Sequence, residues 1–295
     1  MKADSGMLMA VPNVSEGRDT RTLEALRNAF SPARVLDLHT DADHGRSVYT
    51  LAAEQGALSD GLVAGAAAAL AAIDLRRHEG LHPFVGALDV MPVVYLDGAR
   101  HGPACAEALT AAARIGSELD LPVVLYGELA TQPEHRERAG LRRGGATGLA
   151  RRIEAGEVVP DFGPHRAHRT AGVVLAAARA PLIAFNVDLV SDDLELARRI
   201  AAEIRESGGG LPGVRAMGLY LGARGRAQVS TNVHDHLATP LRAVVEAVSR
   251  RAEVAEAELV GLAPEAALEG FPADVALRGF APERHVIENA LRSGE

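Results

Sequence analysis

Short β-branched or apolar runs alternate with longer helix-forming segments along nearly the whole chain, and this alternation restricts it to a mixed α/β architecture. The runs that read as strands are Leu8–Val14, Arg34–Leu38, Ser47–Ala53, Asp89–Leu96, Pro122–Tyr126, Leu182–Leu189, Gly213–Leu221 and Ala227–Asn232. Helices are predicted over Thr20–Phe30, Ala57–Leu75, Pro103–Leu119, Asp192–Ser207, Pro240–Arg251 and Pro282–Arg292. Two helix starts are well signalled. Ser191 reads as an N-cap followed by an acidic first turn, and Thr239 as an N-cap with Pro240 at the first helical position.

The alanine-rich run Gly61–Ile73 reads as a buried helix whose apolar part is too short to span a bilayer. Between Gly140 and Gly172, Gly, Pro, Arg and His accumulate with little periodicity, so this stretch reads as a long functional loop. A border near Arg179–Pro181 follows, giving an N-terminal subdomain over 1–179 and a C-terminal one over 180–295. A chain of 295 residues, 47% hydrophobic and 24% charged, can bury a core in each. Its net charge of -8 argues against a nucleic-acid binder. The single cysteine, Cys105, excludes an internal disulfide and any cysteine-rich zinc site, and it points to a reducing cytoplasm. The first residues lack the apolar run and cleavage pattern of a secretory signal, no segment calls for a membrane, and no Gly-x-Ser-x-Gly elbow suggests a hydrolase. Gly208-Gly-Gly210 lacks the spacing of a phosphate-binding loop.

The stretch Ile73–Val90, IDLRRHEGLHPFVGALDV, carries the densest chemistry. Pro83 forces the preceding residue into extended geometry, so the helix entering the stretch should stop near Gly80–His82 and leave His82 in a helix-to-strand turn. A turn at the surface of a rigid scaffold lets an imidazole reach a ligand, and its pKa near ~6.5 suits proton transfer between two amines. His78 either joins it or faces solvent on the last helical turn; both histidines read equally well as surface residues. A metal held by His78, His82 and His165 lacks a third ligand fixed by spacing.

Four motifs, Val11-Pro-Asn-Val-Ser-Glu-Gly-Arg18, His82-Pro-x-x-Gly86-Ala-Leu-Asp89-Val90, Asp161-Phe-Gly-Pro164 and Ile183-Ala-Phe-Asn186, resemble the formiminotransferase family in the same order. Weaker likenesses at Leu125–Glu128, Gln228–Asn232 and Glu258–Leu262 extend the match over nearly the whole chain, without the cyclodeaminase domain of some relatives. The resemblance implies an α/β (α+β) fold of two subdomains. Each would set helices against one face of a mixed sheet, with a folate groove between them. It implies a homodimer that needs no metal and moves a formimino group from N-formimino-L-glutamate to N5 of tetrahydrofolate, the co-substrate.

By that resemblance His82 is the catalytic proton shuttle, and the loop Asp41–Arg46, with His44, binds substrate alongside Asp89 and Asn186. A carboxylate from Asp41, Asp43 or Asp89 would orient the cationic amidine, and Arg46 would fork a substrate carboxylate. The plainer readings are a strand-turn cap for Asp89, a surface salt bridge for Arg46 and a turn role for Asn186. Gly163, Pro164, His165, Arg166, His168, Arg169 and Gly172 fall where the family's folate loop lies. The glycines would admit a flat pterin ring and the basic residues would meet folate carboxylates; the alternative is a solvated basic loop. Phe84 stands where the family usually has Arg, and Gly45 where Asn is common. Donor recognition is therefore expected to rely on Arg76, Arg77 or Arg46, or to involve another donor such as 5-formyltetrahydrofolate or formylglutamate. A non-catalytic folate-binding protein is the remaining class.

Overall fold

A computed structural model describes residues 6–42, 44–80, 83–222 and 224–293. The chain forms two compact units, 1–180 and 181–295.

The first unit holds seven strands in one sheet: β1 (Met7–Ala10), β2 (Asn13–Val14), β3 (Arg34–Asp41), β4 (Arg46–Glu54), β5 (Leu88–Val94), β6 (Val123–Leu125) and β7 (Val174–Arg179). The predicted strand Leu8–Val14 is split at Val11–Pro12, because Pro12 has no N–H for the ladder. Both pieces lie between β4 and β5, antiparallel to each. Strands β5, β7 and β6 run parallel. Parallel strands are normally buried on both faces, and every residue of Leu88–Val94 is buried.

Helices α1 (Thr20–Ala29), α2 (Ala57–Ala72) and α3 (His101–Glu118) cover one face of this sheet, over a core that includes Phe30, Tyr49, Leu62, Met91 and Ile115. Helix α2 is apolar around most of its circumference, as a helix packed between neighbours must be. A Cβ at Gly61 would strike the Phe30 carbonyl and one at Gly65 the Phe30 ring, so the glycines allow α1 and α2 to touch. The N-terminus of α2 is held from α3, where the buried Glu107 carboxylate accepts the N–H groups of Gly56 and Ser59 at 2.7 Å each. Glu107→Ala strands both donors and should cost about 1–3 kcal/mol, measured as a fall in unfolding free energy without loss of the fold.

One-sided helix packing is expected, and the three long helices obey it. The opposite face of the parallel strands carries a second cluster, Val90, Val124 and Leu175 against Leu141, Leu149 and Ile153. Those last residues come from α4 (Arg138–Leu141) and α5 (Gly145–Glu154), inside the stretch expected to be loop. The sequence signal for α5 is Leu149 and Ile153 one turn apart, Arg151 and Arg152 in the last turn, and Gly156 just beyond at φ 72. Arg152 donates to the carbonyls of Gly140 (3.0 Å) and Leu141 (2.5 Å), fastening α4 to α5.

The second unit has four strands in the order β11-β8-β10-β9: β8 (Ile183–Leu189), β9 (Val214–Leu221), β10 (Arg226–Val233) and β11 (Val254–Val260). These named strands are all antiparallel, and among the described residues parallel pairing enters at isolated bridges such as Ala257 with Leu277. Helices α6 (Leu194–Ile204) and α7 (Leu241–Ser249) pack on Phe185, Val187 and Val229. The cap of α6 is Asp193 rather than Ser191, whose hydroxyl instead accepts the Asp193 N–H. At α7 the cap position is Pro240, and Thr239 donates its hydroxyl to the Pro212 carbonyl. The helix expected over Pro282–Arg292 breaks into α8 (Pro282–His285) and α9 (Ile287–Arg292), because extended Val286 pairs with Ala263. Among the described residues no helix is long and apolar enough to cross a membrane.

Candidate functional site

The segment Ser15–Gly17 draws two loops together in the first unit. Ser15 binds through its N–H to Ala87 and through its hydroxyl to Gly86, while the Ser47 hydroxyl donates to the Glu16 carbonyl at 2.7 Å. A Cβ at Gly17 would strike the Asp41 carbonyl, so glycine lets the loop after β3 close against this segment. Glu16 turns its carboxylate back onto the N–H groups of Gly17, Arg18 and Asp19, which pins the entry to α1. A cavity of about 310 Å³ opens here, lined by residues that include Ser15, Glu16, Arg18, Arg77, His78 and Gly80.

Asp41 and Arg46 face each other across the β3–β4 hairpin. Asp41 accepts both the N–H of His44 (2.9 Å) and its Nδ1 (2.6 Å), and each side chain is one-third exposed. An ionised carboxylate only accepts, so this bond places a proton on Nδ1 and fixes the ring. Gly45 turns the hairpin at φ 63, and a Cβ there would lie 2.7 Å from His78 Cε1 and from Gly80 Cα. Phe84 sets its ring edge-on to His78 at 4.4 Å. The two departures from the family pattern thus meet on one imidazole.

The predicted helix end comes early. Helix α2 stops at Ala72, Leu75–Arg77 forms a single 3-10 turn capped by Asp74, and His78 is extended rather than on a helical turn. Burial, the largest influence, pushes the His78 pKa below its usual 6.5, as it does for His135 and His236. The unfolded chain therefore takes up protons near pH ~6.5 that the folded chain resists. The stability these neutral rings contribute is present above that pH and lost below it, so the melting temperature should fall between pH 7.5 and 5.5, read by thermal unfolding. Arg76 is held at the surface by Asp74, whose pKa its hydrogen bonds lower to about 2, while Arg77 lines the cavity. His82 and Asp43 lie outside the described residues.

Asp89 is buried and fully engaged. Oδ1 accepts the N–H groups of Val85 (2.7 Å) and Gly86 (3.2 Å), and Oδ2 pairs with Arg142. The strand-turn role therefore describes Asp89 better than contact with an amidine. Arg46 and Arg142 both have their pKa lowered by burial first, with the neighbouring guanidinium groups adding to it. Arg142 lies in the stretch expected to be loop, and Arg138 just before it, so no sequence signal marks either as a site residue.

The segment 163–172 is tied to the same turn. Gly86 bridges Gly172, Val173 donates to the Val85 carbonyl, and Leu75 donates to Thr170. Gly163 and Gly172 do not open toward a ligand: a Cβ would strike the Leu121 carbonyl at one and the Val85 carbonyl at the other. His168 turns Nδ1 onto the N–H groups of Thr170 and Ala171, closing its own turn. His165, Arg166 and Arg169 are exposed, with Arg166 3.7 Å from Asp120, and Pro164 is half-buried. The Asp161 carboxylate anchors the segment through Leu125 N–H and the Thr131 hydroxyl.

In the second unit Asn186 donates to Glu258 at 3.3 Å, and Arg278 reaches the same Glu258 at 2.6 Å. Beside them, buried Asp188 is held by Gln228 (2.7 Å) and Arg224 (3.0 Å). Cys105 lies 3.6 Å from His101 Nε2, but that nitrogen also meets Glu128 at 2.9 Å, and burial raises the thiol pKa, so no activated nucleophile results.

Comparison with known proteins places two family regions along the chain. The formiminotransferase domain, N-terminal subdomain, matches residues 7–179, and the formiminotransferase domain matches residues 184–271. The chain is 39% identical over 276 residues to the formimidoyltransferase-cyclodeaminase of Gallus gallus, covering 89% of this chain and 51% of that one. It thus spans about half the length of that relative. Against the glutamate formimidoyltransferase of Streptococcus pyogenes it is 35% identical over 266 residues, covering 88% and 89% of the two chains. The namesake in Thermoplasma acidophilum is 35% identical over 274 residues, covering 89% of each.

Proposed function

The chain belongs to the formiminotransferase family, and from that premise we propose that it transfers the formimino group of N-formimino-L-glutamate to N5 of tetrahydrofolate. The products are 5-formiminotetrahydrofolate and L-glutamate. The observation that carries this reading is the match to single-unit glutamate formimidoyltransferases over 89% of their own length.

N5 attacks the amidine carbon and forms the new C–N bond; the bond from that carbon to the glutamate nitrogen then breaks. N5 must lose a proton and the departing amine must gain one, and a single imidazole near neutral pKa does both. His82 fills this role on our reading. Asp41, fixed by His44 yet one-third exposed, is the carboxylate suited to the amidinium, since Asp89 is consumed by its turn. Asp89 positions the backbone just after His82 instead. Arg46 suits a carboxylate of the donor. The exposed basic residues of 163–172 meet folate carboxylates, while its glycines shape the chain. We further propose that the enzyme works as a homodimer in the cytoplasm, which sedimentation of the intact protein tests as a species of twice 30.9 kDa.

Phe84 and Gly45 favour one second reading, a changed donor, because both positions present less polarity beside His78 than the family pattern does. Steady-state rates with N-formimino-L-glutamate, N-formyl-L-glutamate and 5-formyltetrahydrofolate separate the two. The first donor should be turned over much faster than the others; tetrahydrofolate binding without transfer from it would overturn the leading reading.

A further inference from the structure

Four arginines of the first unit act on one another by charge: Arg46 at the start of β4, Arg138 and Arg142 at the two ends of α4, and Arg179 at the end of β7. The charge influences on Arg46 come from Arg142, Arg138, Asp41 and Asp89, and those on Arg179 from Tyr126 and Arg138. Among the described residues, two carboxylates thus stand among four guanidinium groups, in a protein whose net charge is -8. Asp89 is saturated by Val85, Gly86 and Arg142, and Asp41 is shared with His44. Arg138 lies over the Tyr126 ring, 5.9 Å from its centroid, and among the described residues no carboxylate pairs with it. Two polar atoms of this cluster, the Tyr126 hydroxyl and Arg142 Nε, are buried without a hydrogen-bond partner. Buried donors without a partner and an excess of half-buried cations are both costly unless an acceptor of negative charge arrives.

We infer that Arg138 and Arg142, with Arg46 and the Tyr126 hydroxyl, form the subsite that takes the carboxylates of the glutamate-bearing donor. The inference rests on the formimino-transfer reading. A guanidinium fork matches a carboxylate with two parallel bonds, and a phenol adds a third donor. The donor is chosen over the glutamate tail of folate by reach. In the donor, the α-carboxylate is two bonds from the nitrogen that leaves, whereas in folate the p-aminobenzoyl group stands between N5 and the tail. Asp89, to which Arg142 is bound, holds the Val85 N–H only three residues past His82, a chain reach of at most about 11 Å. The same cluster accounts for how charge lost at Phe84 is supplied from another part of the chain.

Arg138→Met keeps the stem over Tyr126 and removes the charge; Tyr126→Phe removes only the hydroxyl. The Michaelis constant for N-formimino-L-glutamate should rise about tenfold to a hundredfold in Arg138→Met and less in Tyr126→Phe, with that for tetrahydrofolate unmoved. Arg138→Lys should restore part of the loss. Calorimetric titration with L-glutamate alone should show the same weakening. Unchanged L-glutamate binding in Arg138→Met, or no such binding by the wild-type protein, overturns the subsite. A rise confined to tetrahydrofolate overturns it in favour of the folate tail. Failure of the wild-type protein to transfer formimino groups would defeat the functional reading instead, while L-glutamate titration still decides the subsite.

Discussion

His82→Ala should slow formimino transfer by about 10²–10⁴-fold while tetrahydrofolate still binds, the loss typical of removing a positioned general acid–base. The reaction needs one proton removed from N5 and one delivered to the glutamate nitrogen, and an imidazole titrating near pH ~6.5 can serve both steps at neutral pH. His44 makes the result informative, because Asp41 already fixes its Nδ1 and it is a second imidazole in the same unit. If His44 carried the protons, His82→Ala would keep most of the rate. Steady-state kinetics paired with calorimetric folate binding separate a lost proton carrier from a lost binding site. The base must be neutral to act, so the wild-type kcat/KM should decline as the pH falls through the imidazole range.

Asp89→Ala should lower the unfolding free energy by about 3–5 kcal/mol, because it leaves a buried guanidinium without its carboxylate. The Val85 and Gly86 N–H groups lose their acceptor in the same change. For a unit of this size the melting temperature should drop by roughly 10 °C, read by calorimetry. Asp89→Asn should fall between, since an amide oxygen still accepts both N–H groups but no longer balances Arg142. The double change Asp89→Asn with Arg142→Met should recover part of the loss. A melting temperature in Asp89→Ala equal to that of the wild type would sink the account of the ion pair as the support of this turn.

Much of the frame was legible in the chain because it rests on local patterns. The strands β3, β4, β5, β8, β9 and β10 and the helices α1, α3, α6 and α7 were found within a few residues of their ends, where side-chain period and capping residues act on near neighbours. Two strands were invisible for the opposite reason. Val174–Arg179 is mostly alanine and Val254–Val260 alternates alanine with glutamate, residues that locally prefer helix. They are strands because β5 and β6 flank the first and β8 pairs with the second.

The candidate site divides in the same way. The motifs Val11–Arg18, His82–Val90, Asp161–Pro164 and Ile183–Asn186 stood out as sequence and the family followed from them, and that resemblance in turn pointed to Asp41, His44, Arg46 and Gly163–Gly172. What each residue does waited on contacts distant along the chain. Gly172 packs on Val85, and Asp89 is claimed by Arg142, 53 positions away. The sequence by itself determined the α/β class, most elements and the family, because periodicity, turn residues and motifs are local. Only the tertiary structure decided that Asp89 braces a turn and that four arginines converge, because burial and charge depend on neighbours the chain meets only after folding.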